Sequence, residues 1–70
     1  MKQIEHAEQT LHKLGFWQYR VRHHGTLCRI EIDERDFEKV LRKDIRDMIL
    51  SEIKQIGYQQ VTLDLKAYSR

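Results

Sequence analysis

Apolar residues at the start of the chain fall at Ile4, Ala7, Leu11 and Leu14, spacings that place them on one face of a helix. Gly15 follows directly and predicts the stop, since a positive-φ residue commonly closes a helix. The period then drops to two. Tyr19 and Val21 alternate with Arg20 and Arg22, and Cys28, Ile30 and Ile32 alternate with Arg29 and Glu31, which predicts two half-buried strands. "HHGT" between them reads as a tight turn in which Gly25 takes positive φ. Asp33 or Asp36 is placed to cap the next helix. Its apolar stripe runs through Phe37, Leu41, Ile45, Met48, Ile49, Ile53 and Ile56, with a break or kink expected at Asp44 and the stop at Gly57. "QQVTLDL" gives a third strand with Val61, Leu63 and Leu65 on one face.

The order α-β-β-α-β predicts an α+β fold of two layers, two helices on one face of a three-stranded sheet, as a single small domain over residues 1–70. The chain also echoes itself. "LHKLGFWQYRVR" and "IKQIGYQQVTLD" share a helix end, a glycine, an aromatic, two linking residues and an alternating strand. The paired core places are Leu11/Ile53, Leu14/Ile56, Phe16/Tyr58, Tyr19/Val61 and Val21/Leu63. The outward places differ, because Arg20 and Arg22 correspond to Thr62 and Asp64. An ancient duplication and shared helix-to-strand stereochemistry account for this equally well.

Composition sharpens the picture only in places. Charged residues make up 34% and hydrophobic residues 40%, the balance of a folded soluble domain. A chain this short buries only about 60% of its unfolded surface, which allows one core and argues against a deep enzyme cleft. The net charge of +2 is too small to imply nucleic acid by itself. Cys28 is the only cysteine, so an internal disulfide is excluded and a cytoplasmic location is expected. No apolar run is long enough to span a membrane, and "MKQIEHAEQ" is too polar for a signal peptide. The ending "KAYSR" leaves room for a longer parent protein.

Positive charge concentrates in "YRVRHHGTLCRIEID". A turn centred on His24-Gly25 would pair Arg22 with Leu27, Val21 with Cys28 and Arg20 with Arg29. That register gathers Arg20, Arg22 and Arg29 on the open side of the sheet. Like charges facing each other across strands destabilise by roughly a few tenths of a kcal/mol. Glu31 and Asp64 on the same face, or a bound anion, would offset this, and arginine forks suit phosphate. A plain solvated face fits the same residues.

Other residues carry weaker signals. His23 and His24 are neighbours on a strand, so they point to opposite faces and do not chelate one metal together. Glu8 and His12 are four apart on one helix face, a spacing that serves either a metal at a subunit interface or an ordinary surface contact. Cys28 is expected to face inward as a small core residue. Trp17 covers the core edge or marks a contact surface. The chain lacks a Walker-type loop, a glycine-rich phosphate loop, paired metal-finger cysteines, a nucleophile elbow, RNA-recognition aromatics and a GXXG loop. Catalysis by this chain alone is therefore not expected.

"AEQTLHKLGFWQYRVRHHGTLCRIEI" followed by a helix and "IGYQQVTLDLKAYSR" resembles the C-terminal domain of the ATP-dependent sacrificial sulfur transferases. These serve the nickel-pincer cofactor of lactate racemase and belong to the PP-loop ATP pyrophosphatase superfamily. The resemblance covers essentially the whole chain, and "RVRHHG" is its sharpest piece. It implies a preceding PP-loop domain, absent here, that uses ATP and Mg to adenylylate the carboxylate of a pyridinium dicarboxylate mononucleotide. A cysteine ahead of this domain then gives up its sulfur. Cys28 does not occupy that place, and the SGG-x-DS motif is not in this chain.

The resemblance further implies that Arg20 and Arg22 hold the phosphate of the nucleotide-like substrate; His23, His24 and Arg29, beside them in the sequence, are candidate supporting residues. It matches Glu8, and more loosely Asp36, to acids that bind a divalent metal at an oligomer interface. A homo-oligomer is expected; a membrane or nucleic-acid partner is not. Two rival readings remain, a non-catalytic homo-oligomerisation module and a small RNA-binding domain using the hairpin. The latter is weakened by a sheet face without stacking aromatics.

Overall fold

The computed structural model describes residues 2–68. Helix α1 spans Lys2–Lys13, strand β1 Tyr19–His24 and strand β2 Leu27–Ile32. A single 3-10 turn at Glu34–Asp36 leads into α2, Phe37–Leu41, then α3, Lys43–Ile56, and strand β3, Gln60–Leu63. The three strands form one sheet in the order β1-β2-β3, with β1 antiparallel and β3 parallel to β2. The helices bury one face of this sheet, so the expected α+β two-layer arrangement is the one observed.

The core follows the apolar pattern. Ala7 and Leu11 from α1 and Ile45, Ile49 and Ile53 from α3 close over Val21, Cys28, Ile30 and Ile32 of the sheet. Each fully buried Leu or Ile contributes roughly 1.5–3 kcal/mol. Phe16 and Tyr58 seal the two helix-to-strand corners.

Gly15 takes φ 85° and closes α1 with two bonds, from its own N–H to the His12 carbonyl and from Phe16 N–H to the Leu11 carbonyl. This is the paired C-terminal closure that a left-handed glycine permits, and both Phe16 and Leu11 are buried in the core.

Three expectations are corrected. The hairpin turn is centred on Gly25-Thr26, so β1 and β2 sit two residues away from the expected register: His24 faces Leu27, Arg22 faces Arg29 and Arg20 faces Glu31. A turn on His24-Gly25 of the favoured type would force His24 to positive φ. With glycine in the first central place only Gly25 needs it, at φ 58°. The slip is even, so every side chain keeps its face.

The helix break falls at Arg42, which is extended at φ −65° and ψ 136°, rather than at Asp44. Asp44 instead sits in the first turn of α3 and accepts from Arg42 Nε and Nη2 at 3.2 and 2.8 Å. That hydrogen bond holds the Asp44 carboxyl below its usual range.

The stripe also loses members. Leu41, turned outward beside the break, is 68% exposed and Met48 is 48% exposed; the third strand likewise loses Leu65, which lies beyond the end of β3 and is 86% exposed. Leu41 instead lines an apolar cleft of about 220 Å³ beside β3 with Val40, Ile49, Leu50, Val61 and Leu63.

Candidate functional site

The sheet face away from the helices carries Arg20, Arg22 and His24 from β1, Arg29 and Glu31 from β2, and Thr62 from β3. Strand alternation puts them there, since Val21, Cys28, Ile30 and Ile32 face inward. Beyond β3 the chain keeps to the edge of β2. Asp64 N–H donates to the Ile30 carbonyl at 2.9 Å and Tyr68 N–H to the Ile32 carbonyl at 2.8 Å. Between them Lys66 N–H donates to Asp64 Oδ1 at 2.9 Å, turning the segment sharply. This brings Lys66 and Tyr68 to β1.

The result is a polar cleft of about 280 Å³ lined by Arg20, Arg22, Glu31, Asp64, Lys66, Ala67 and Tyr68. Three cations line it against two acids, leaving it positive by one charge (3 − 2). Glu31 Oε2 accepts from Arg22 Nε at 2.9 Å and from Arg29 Nη2 at 3.4 Å. The arginine–arginine pair created by the register is therefore bridged by the acid beside it. Arg20 has no carboxylate partner among the described residues. Its guanidinium lies 5.8 Å from the Tyr68 ring centroid, a cation–π distance that holds the group in place.

The other expected residues lie elsewhere. His24 is exposed at the hairpin end of the arginine face. His23 is on the helix side, with Nδ1 2.7 Å from the Tyr58 hydroxyl and the two rings edge to face. Burial raises the Tyr58 hydroxyl pKa, and nearby Cys28 adds to the rise. The Cys28 thiol is buried and pushed up to about 11, which suits a core residue and not a nucleophile.

Glu8 lines a shallow groove on α1 with Glu5, Gln9, His12 and Tyr19. Asp36 is buried, and its Oδ2 accepts from Trp17 N–H at 2.7 Å, fixing the turn after α1. Asp33, not Asp36, supplies the capping side chain, accepting from Arg35 N–H at 2.9 Å. Trp17 is 60% exposed with the Arg35 guanidinium 4.6 Å over its ring. Among the described residues no three His, Cys, Asp or Glu side chains gather in a group able to hold a metal. No helix among them is long and apolar enough to cross a membrane.

Sequence reasoning missed Lys66 and Tyr68 as part of this face. Both lie beyond the last strand, where alternation gives no direction. The signal was Asp64 two residues before Lys66, a pattern that favours an Asx turn.

Fold and face together define a small two-layer α+β domain whose open sheet face is a positively charged, arginine-lined cleft. No family model matches the chain. It is 35% identical over 66 residues to pyridinium-3,5-bisthiocarboxylic acid mononucleotide synthase of Lactiplantibacillus plantarum, covering 94% of this chain and 23% of that protein. It is 29% identical over 68 residues to an uncharacterized protein of Synechocystis sp., covering 97% of this chain and 25% of that one. The chain thus spans about a quarter of the length of the curated relatives it matches.

Proposed function

We propose that this chain is the phosphate-gripping part of an ATP-dependent sulfur transferase of the PP-loop superfamily, acting in maturation of the nickel-pincer cofactor of lactate racemase. The similarity to a mononucleotide synthase supports the class. The observation that carries the site is Arg20, held against Tyr68 at the rim of the cleft with Arg22 and Lys66 beside it and no acid of its own among the described residues. Arg20 and Arg22 grip the phosphate of a mononucleotide-like substrate, and Lys66 adds charge. ATP, Mg and the reacting carboxylate belong to a PP-loop domain that this chain does not supply. The face is expected to work in the cytoplasm against that domain.

Among the described residues the acids near Glu8 gather no three-ligand group, so a divalent ion proposed there would draw ligands from a second copy. An assembly role is favoured by one further observation, the apolar cleft with exposed Leu41 beside the free edge of β3. RNA binding is disfavoured because, among the described residues, Tyr68 is the one aromatic lining the cleft and has Arg20 against it. In the full-length parent enzyme, Arg20→Ala with Arg22→Ala is expected to leave the fold intact and abolish sulfur transfer. Undiminished transfer by that variant would reject the reading.

A further inference from the structure

Glu31 occupies the middle of the arginine face, and the phosphate reading gives it no task. A single carboxylate oxygen, Oε2, serves two guanidiniums, Arg22 Nε at 2.9 Å and Arg29 Nη2 at 3.4 Å. The second bond is long. Beside it Arg29 Nε is buried with no hydrogen-bond partner. A buried N–H of a charged group without an acceptor is unfavourable, and in a native structure it calls for an explanation. Nε and Nη2 together form the side-on fork by which a guanidinium takes a carboxylate with two parallel bonds. The chain makes that fork elsewhere, where Arg42 Nε and Nη2 hold Asp44, two residues further on. Glu31 is likewise two residues beyond Arg29, on the same face of β2.

We propose that Glu31 is an internal counter-ion that releases Arg22 to an incoming anion and closes a two-bond fork on Arg29. This rests on the anion-binding reading of Arg20 and Arg22. Glu31 holds Arg22 by the bond between Oε2 and Nε, the place an anion would take. When phosphate arrives, Arg22 Nε exchanges one oxyanion for another. Glu31 slides onto Arg29, whose orphaned Nε gains its acceptor. Arg29 is thus a positioning residue for Glu31 and does not itself touch the anion.

The test is a titration of the 70-residue chain with inorganic phosphate, read by amide NMR, for the native protein, Glu31→Gln, Arg29→Lys and the double variant. Glu31→Gln removes the competing charge at nearly constant shape and should tighten phosphate binding about tenfold. Arg29→Lys keeps the charge but removes the fork, and should weaken binding severalfold. In the Glu31→Gln background Arg29→Lys should change nothing, because no carboxylate remains to relocate. Equal weakening by Arg29→Lys in both backgrounds would place Arg29 on the anion and overturn the exchange. Unchanged or weaker binding by Glu31→Gln would overturn it as well, while leaving the anion site standing. Saturable binding by none of the four would remove the site and the exchange together.

Discussion

Residues 11–22 and 53–64 pass through the same events on opposite sides of β2: a helix ends, a glycine turns the chain, an aromatic is buried and a strand begins. Burial matches closely. Leu11 and Ile53 are both 0% exposed, while Phe16 and Tyr58 are 4% and 2% exposed. The closures differ. Gly15 sits at φ 85° with two bonds closing its helix, whereas Gly57 is at φ 121° with the single bond from its N–H to the Lys54 carbonyl. The next loop positions solve one problem in two ways. Trp17 N–H donates to the Asp36 carboxylate at 2.7 Å, whereas Gln59 and Gln60 N–H donate to the Thr26 carbonyl at 2.8 and 3.2 Å. The shared interior fixes the scaffold, and the unshared outward residues decide which edge of the sheet carries charge.

The equivalence of the interiors can be broken first. Leu11→Ala and Ile53→Ala each empty a fully buried position and should cost about 3 kcal/mol in urea unfolding, nearly equally. A cost below 1 kcal/mol at either position would end the equivalence. Asp36→Ala should cost roughly 2 kcal/mol, because Trp17 N–H loses its only acceptor. The second unit has no side chain in that role, so Gln59→Ala should be nearly neutral; a similar loss there would contradict the contrast.

The glycines sharpen the comparison further. Gly15→Ala should cost about 1 kcal/mol and Gly57→Ala about 2 kcal/mol, since φ 121° lies further from anything an alanine adopts. Added Cβ atoms would meet Lys39 Nζ and Gln3 Nε2 respectively, both ends of flexible side chains, so backbone conformation decides the order. Thermal melts that reverse the order would show that local crowding dominates.

The smallest effect is alkaline. The folded state binds the Cys28 proton more tightly than the unfolded chain, where the ordinary value is 9.0. That stability is complete below this value and is lost as pH rises towards about 11. Tyr58 shifts in the same direction and adds to the loss, whereas its counterpart Phe16 does not ionise. Between pH 8 and 10 the native protein should lose about 1 kcal/mol, and Cys28→Ala should flatten most of that slope. An unchanged slope in the variant would remove this cause.

Much of this was legible in the sequence, for identifiable reasons. Period-two alternation placed Arg20, Arg22 and Arg29 on one face, because the side-chain period survives any even slip of register. The slip itself depended on whether histidine or glycine takes the strained place in "HHGT". The break at Arg42 has no glycine or proline to mark it; its trace was Asp44, the partner of the extended residue. Asp36 looked like a side-chain cap, but its carboxylate reaches back to a backbone N–H nineteen residues earlier, a contact no local pattern encodes. Glu31 was expected to offset the arginines; the register sets it opposite Arg20, yet its Oε2 reaches Arg22 and Arg29, a side-chain choice that alternation does not encode.

Titration of the chain with phosphate, AMP and a short RNA, read by amide NMR, decides whether the open face is an anion site. Saturable shifts at Arg20, Arg22, Lys66 and Tyr68 with phosphate and AMP are expected, disappearing in Arg20→Ala with Arg22→Ala while the rest of the spectrum stays folded. Shifts with RNA alone, falling steeply with salt, or no shifts at these residues with either anion, would contradict it.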